Sequence, residues 1–361
     1  MPHSPRSRAL RWAAPLVVAA IIGLIALIPT FSAAATPALP GVTTSQLIAR
    51  VEQSNDPPLT GSVTLSASLG LPSLSSLGNT GRGENNGFNP IDLLSGSHQA
   101  RVWYDGPDRS RIALPRSMAE TDAVHNGRDL WLWDSTGAKV THYLLPATDQ
   151  GNIPEPIKTP DELAKDLLTN IDPSTVVSVG TPAYVAGRAA YQLVMQPRKP
   201  ESTIDHVAIA VDSATGLPLR VNVVAKGQRR TAVQLGFSSV SFSRPSASEF
   251  RFTPPPDSTV TMRDLTQESA PGPFSQLNAG ATGDQQVTVG QDWTQVEVFS
   301  NFDLPRGAYE VLRSATDVSG AFGSGRLIQG ALINVLLVED GRIAVGAVNP
   351  QALEAAVAST S

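Results

Sequence analysis

The chain of 361 residues contains no cysteine. That absence excludes disulfide staples, thiolate metal sites, a cysteine nucleophile and a lipidated N-terminal cysteine. It leaves the redox compartment open, because a chain without thiols tolerates either state. Charged residues are sparse, at 16%, and form no lysine or arginine block. Lys and Arg total 27 against 32 Asp and Glu, a net charge of −5. Arg6, Arg8 and Arg11 are the only Lys, Arg, Asp or Glu in the first 35 residues, so the rest carries 24 against 32, or −8. A mildly acidic body without a basic patch is not a nucleic-acid footprint. The five histidines, His3, His98, His125, His142 and His206, show no metal-ligand spacing, so no metal site is implied.

Enzyme motifs are missing as well. There is no G-x-x-x-x-G-K-[ST] run. Gly81-Arg82-Gly83 lies in a polar loop rather than between a strand and a helix, which is the wrong context for dinucleotide binding. Around Ser324, Phe322 stands where a G-x-S-x-G elbow needs its first glycine. Acidic residues are scattered, with no marked carboxylate pair. The chain is read as a non-enzymatic protein without a cofactor.

Glycine and proline are abundant, 29 of each, which suits a chain full of turns. Hydrophobic residues make up 41%, enough for a core. One long hydrophobic run exists. Trp12 to Phe31 holds no charge, three arginines precede it and Ala33-Ala34-Ala35 follows. It reads as a single-pass anchor in the cell membrane, with a cleaved signal peptide and a secreted body as the alternative. Either way the arginines hold the N-terminus inside and place the body outside the cytoplasm.

After a linker over residues 36–43, Thr44 to Ser54 has a helical stripe of Leu47, Ile48 and Val51, with Thr44 as N-cap. Gly61 to Leu69 alternates strictly, as a half-buried strand does. Gly70 to Gly96, rich in Gly, Ser and Asn, reads as a long loop. Closely spaced strands follow, including a hairpin across Asn126-Gly127, a dipeptide that predicts a type I′ turn. Thr159-Pro160-Asp161-Glu162 predicts a capped second helix. Five more strands run from Thr175 to Phe242. In the last, the apolar phase slips between Phe237 and Val240, which predicts a β-bulge. Strands joined by tight turns are antiparallel, so residues 44–256 read as an α+β domain, one large antiparallel sheet with a helix laid on it. Residues 257–286 read as a linker. Residues 287–361 read as a small C-terminal unit, with a strand at Val287 to Phe299, a helix near Arg306 to Ser314, a loop at Gly320 to Gly325, a hairpin at Asp340-Gly341 and a helix capped by Asn349-Pro350.

Several strands are apolar on both faces. In Arg128 to Asp134, Leu130 and Leu132 alternate with Trp131 and Trp133. Two short helices cannot cover both faces of such a sheet. Trp103, Trp131, Trp133, Tyr191 and Met195, with Tyr143 beside them, are therefore expected to line an apolar ligand-binding face. Aromatic rings and a flexible thioether suit acyl chains.

Val185-Ala186-Gly187-Arg188-Ala189-Ala190-Tyr191-Gln192-Leu193, then Val207 to Asp212, then Thr215-Gly216-Leu217-Pro218-Leu219-Arg220, resembles the paired-strand signature of the LolA-like superfamily, and within it the MucB/RseB N-terminal type. Arg101 to Pro107 and Asn126 to Trp131 resemble that family's early hairpins. The resemblance covers residues 44–256. It implies a large curled antiparallel sheet, an incomplete barrel wrapped around helices; the small C-terminal α/β unit read from residues 287–361 lies outside the resemblance. It also implies non-enzymatic binding or carriage of lipid or lipoprotein acyl chains at the outer face of the cytoplasmic membrane. The alternative it implies is an RseB-like envelope-stress sensor acting through contact with a membrane regulatory protein. The expected partners are thus a lipid or acylated lipoprotein, the cytoplasmic membrane through the N-terminal segment, and such a regulator, with no nucleic acid.

Overall fold

The computed structural model describes residues 36–54, 56–70, 93, 95–146, 159–169, 171, 173–266, 286–300 and 315–360. The hydrophobic run Trp12 to Phe31, most of the Gly70 to Gly96 loop and the helix expected near Arg306 to Ser314 lie outside them. Among the described residues no helix is long and apolar enough to cross a membrane.

Twelve strands form the main sheet. The first meander is β1 (Leu59–Ser68), β2 (Ser95–Tyr104), β3 (Arg109–Arg116), β4 (Ala119–Asn126), β5 (Asp129–Asp134) and β6 (Lys139–Leu144). The second is β7 (Thr175–Val185), β8 (Arg188–Pro197), β9 (Ile204–Asp212), β10 (Pro218–Ala225) and β11 (Thr231–Ser241). β1 pairs with β11 and joins the two meanders. β12 (Thr259–Asp264) completes the order β12-β6-β5-β4-β3-β2-β1-β11-β10-β9-β8-β7. The sheet is curled but open, with edges at β12 and β7. Residues 259–264, expected in a linker, are thus an edge strand, and β12 lies parallel to β6, the one exception to the antiparallel order. Its exposed residues Val260 and Met262 alternate with Thr261 and Arg263, a pattern the short segment does not distinguish from a polar connection.

Local signals in the chain explain much of this. The phase slip in β11 is a bulge: Ser62 pairs with Ser239 but Val63 with Phe237, so Ser238 is the extra residue and Phe237 keeps its side chain in the core. The first helix, α1 (Thr44–Glu52), is capped by Thr43 rather than Thr44: the Gln46 N–H donates to Thr43 Oγ1, and Gln46 Oε1 accepts from the Thr43 N–H, which completes a capping box. The second, α2 (Pro160–Thr169), has Thr159 and Glu162 in the expected reciprocal bonds.

The hairpin after β4 differs in type from its prediction. Asn126 pairs with Asp129, so Gly127 and Arg128 are the loop residues. Gly127 has φ +64°, while Arg128 is not in the positive region. A type I′ turn needs two positive φ values, and this loop has one. A Cβ added at Gly127 would meet no neighbouring atom within 4 Å, so the destabilisation expected of Gly127→Val is mainly backbone strain, about 1–3 kcal/mol. Thermal unfolding of the variant checks it; an unchanged midpoint would show that the loop relaxes freely.

The residues that carry the family resemblance are structural. Arg188 donates from Nε and Nη2 to the two carboxylate oxygens of Asp212, at 2.7 and 2.8 Å. The Thr215 N–H and hydroxyl donate to the same carboxylate, each at 2.8 Å. Gly216 then turns with φ +78°, and a Cβ there would lie 2.5 Å from the Arg50 carbonyl oxygen. Its lack of a side chain lets α1 sit against this turn. The motif therefore ties β8 to the β9–β10 turn and docks α1.

Both helices pack on one face of the sheet. Leu47 and Val51 of α1 and Ala164 of α2 meet Leu193, Met195, Ile209 and Val221 in one buried cluster.

A second sheet holds β13 (Gln286–Val289), β14 (Val296–Phe299), β15 (Thr316–Gly320), β16 (Gly323–Gln329), β17 (Asn334–Val338) and β18 (Ile343–Gly346), in the order β13-β14-β18-β17-β16-β15. Its pairings are all antiparallel, and α3 (Pro350–Ala358), capped by Asn349, packs on it through Leu353 and Val357. It is therefore α+β rather than α/β. The strand expected from Val287 to Phe299 is broken at Gly290, where φ is +87°. Gly320 to Gly325 is a tight β15–β16 hairpin that buries Phe322, not an open loop. The two sheets touch. Trp293 Nε1 donates to Thr175 Oγ1 at 2.7 Å, and Ser202 bridges Val348. Both belong to one compact unit, Ala38–Ser361.

Candidate functional site

Residues paired across neighbouring strands share a face of the sheet. Trp103 pairs with Arg111, Arg111 with Val124, Val124 with Trp131, Trp131 with His142, and His142 with Met262. Trp133 lies two residues from Trp131 on the same face. This is the face away from α1 and α2. Its aromatics are largely covered by the chain that follows β11. Phe250 and Ala113 bury Trp103, and Phe252 lies 5.6 Å from Trp131 and 6.5 Å from Trp133. Trp131 also stacks flat on His142, with centroids 3.8 Å apart, and His142 Nε2 lies 2.6 Å from Asp129 Oδ1.

The other three expected site residues lie on the helix face. Tyr143 packs with Leu130, Leu145 and Leu265. Tyr191 and Met195, only 4% and 1% exposed, are core residues beneath α1 and α2. Tyr191 donates its hydroxyl to the Pro40 carbonyl at 3.1 Å. The six residues therefore do not form one surface. Alternation separates neighbours onto two faces, but it does not say which face the helices take.

One open space lies on the helix face, where α2 and the turn before β1 overhang β1, β2, β3 and β11. A cavity of about 310 Å³ is lined there by Leu59, Val102, Tyr104, Ile112, Leu217 and Phe237. That is near the lower end for small-molecule sites, roughly 300–1,000 Å³. Asp56, Thr159, Asp161, Glu162 and Lys165 form its polar end. The sequence reading missed these residues. Of the six expected site residues, Trp103, which adjoins Tyr104 in β2, is also among the lining, while Trp131, Trp133, Tyr143, Tyr191 and Met195 are not.

The polar end is a tight charge cluster. Lys165 Nζ lies 2.8 Å from both oxygens of Asp56 and 2.9 Å from Asp161 Oδ2. Glu162 accepts the Thr159 N–H and hydroxyl at 2.7 and 3.0 Å. Burial, and then the Asp56 charge, raise the Asp161 carboxyl to about 6 against the opposing pull of Lys165. Burial would lower the Lys165 ammonium, but its hydrogen bonds to Asp56 and Asp161 outweigh this and leave it raised. Burial, and then Asp56, also raise the Tyr104 phenol. A tethered cation beside an apolar hollow can orient a ligand's polar end. No group of three or more metal-binding side chains occurs among the described residues.

No protein family model and no curated protein matches the chain. Among solved structures, the chain is similar to one from the Pseudomonas aeruginosa MucA/MucB complex, at 15% identity over 87% of this chain and 96% of that one, with a TM-score of 0.45. It is similar to a crystal structure of MucB, at 14% identity over 88% and 96%, with a TM-score of 0.38. It is also similar to a LolA superfamily protein from Nitrosomonas europaea, at 11% identity over 59% and 99%, with a TM-score of 0.24. These structures are of the LolA-like and MucB type that the sequence motifs resemble. They assign no ligand or partner to this chain.

Proposed function

We propose that this protein binds an acyl chain of a lipid or lipoprotein, without catalysis, at the outer face of the cytoplasmic membrane. The observation that carries the reading is the apolar hollow on the helix face, walled by Val102, Ile112, Leu217 and Phe237 and bordered by the charged groups Asp56, Asp161, Glu162 and Lys165. Such a wall offers area rather than directed hydrogen bonds, which is what an alkyl chain can use. The placement rests on the uncharged run Trp12 to Phe31 behind three arginines.

A second reading, a sensor that contacts a membrane regulatory protein, is favoured by one feature. Val260 and Met262 are 49% and 63% exposed on the edge strand β12, and Met262 pairs with the His142 that stacks on Trp131. Native mass spectrometry of the full chain purified from its own host separates the two. Co-purified lipid of one or a few masses is the expected result. A lipid-free chain that instead carries a stoichiometric protein partner would overturn the acyl-binding reading in favour of the sensor.

A further inference from the structure

We infer that the main sheet carries a phosphate-binding site on the face away from α1 and α2, centred on Arg220 of β10 with Asn222 beside it. This goes beyond the acyl-binding reading and does not depend on it.

Strand pairing places the residues. Val221 enters the buried cluster beneath α1 and α2, so Arg220 and Asn222 project from the opposite face. Arg220 stands in a cross-strand row that runs Gln192, Ala210, Arg220, Gly236, Thr64. Asn222 stands in the next row, between Ala208 and Gln234. The direct neighbours of Arg220 are thus alanine and glycine, and the longer polar side chains come one strand further out. A Cβ on Gly236 would lie 2.7 Å from Arg220 Cγ. The arginine stem therefore lies across that glycine, which leaves it the room.

Charge singles out this position. Arg109, Arg111, Arg116 and Arg188, the other half-buried arginines on strands of this sheet, each lie within 3.1 Å of an aspartate oxygen. Arg220 is half-buried too, but it has no acceptor among the described residues, and its Nε–H is buried. Burial alone lowers its guanidinium from the ordinary arginine value, with no opposite charge to offset it. Asn222 Oδ1 is likewise buried without a donor. Neither row holds an acidic residue. A cation that has lost hydration without gaining a partner is unfavourable, and so is an unpaired amide oxygen. A phosphate group answers both. Two of its oxygens fit the guanidinium fork, and the others can accept from the amides of Gln192 and Gln234 or the Thr64 hydroxyl. Singly protonated, it also donates an O–H to Asn222 Oδ1. A carboxylate has only two oxygens and no such donor.

Calorimetric titration of the full chain at about pH 6, where phosphate still carries a proton, and at constant ionic strength tests the site. The probes are inorganic phosphate and glycerophosphoglycerol, the deacylated headgroup of a phospholipid. Saturable one-to-one binding of at least one probe is expected. Tighter binding of inorganic phosphate marks a free ligand, and tighter binding of the diester marks a lipid headgroup. Arg220→Gln should weaken binding at least about tenfold, and Arg220→Lys, which keeps the charge without the fork, several-fold. Since Arg220 holds no ion pair, Arg220→Gln is expected to fold. Should it not, Asn222→Ala serves in its place, with a several-fold loss expected. Ile112→Trp, which fills the hollow on the other face, should leave phosphate affinity unchanged. No saturable binding of either probe, or affinity unchanged in Arg220→Gln or in its replacement, overturns the site and leaves the acyl-binding reading standing.

Discussion

Replacing Asp212 by alanine is expected to lower the unfolding free energy by about 3–5 kcal/mol. Asp212 is 1% exposed and accepts four hydrogen bonds, two from Arg188 and two from Thr215. Its loss leaves the Arg188 guanidinium without its partner and frees the β9–β10 turn on which α1 rests. Denaturant unfolding measures the effect, and a loss below about 1 kcal/mol would show that solvent replaces the carboxylate at little cost. A pH dependence accompanies it. Burial pushes the Asp212 carboxyl up, but the bonds from Arg188 and Thr215 outweigh burial and hold it below the usual carboxylate range. A depressed acid stabilises the fold above its unfolded pKa, and the contribution is lost as pH falls through the folded value. The wild-type advantage over Asp212→Asn should therefore be full at neutral pH and shrink in strong acid.

Filling the hollow should abolish ligand uptake. Ile112 is buried in β3 and lines the cavity from the sheet side. In Ile112→Trp the indole has about 310 Å³ of open space to enter, so the fold should lose no more than roughly 1–3 kcal/mol. Affinity for a fluorescent acyl probe should drop by at least about tenfold, since the larger ring occupies the site that the chain needs. Val102→Phe, one strand away on the same wall, provides a second test. The double change of Trp131 and Trp133 to glutamate lies on the opposite face and should leave uptake intact. Retained uptake in Ile112→Trp together with loss in the tryptophan double variant would move the site to the other face and sink the cavity reading.

The contrast between these variants shows how far the chain can be read on its own. The slip of apolar phase after Phe237 located a bulge, because an extra residue must be accommodated if Phe237 and Val240 are both to be placed. Thr159 and Glu162 announced a helix start through side chains that reach only three residues. The Arg188 and Asp212–Thr215 motifs marked a fold because they form its turns and its buried ion pair. Each of these signals acts over a few residues or through one bidentate contact, and such interactions leave a pattern in linear order.

The candidate site left no such pattern. Asp56 precedes β1, Tyr104 ends β2, Asp161 and Lys165 sit on α2 and Phe237 on β11, so the hollow is assembled from segments up to 181 positions apart, from Asp56 to Phe237. Alternation alone established that Trp131 and Leu130 point to opposite sides, and composition alone established a turn-rich chain with no thiol chemistry. Which side the helices cover was decided by the packing of Leu47, Val51 and Ala164 on Leu193 and Met195. That choice turned two expected ligand contacts into core, put the tryptophans under Phe250 and Phe252, and left open space beside Tyr104. The physical reason is that a strand's period specifies two faces but not their neighbours, and a cavity is the volume that long-range packing fails to fill.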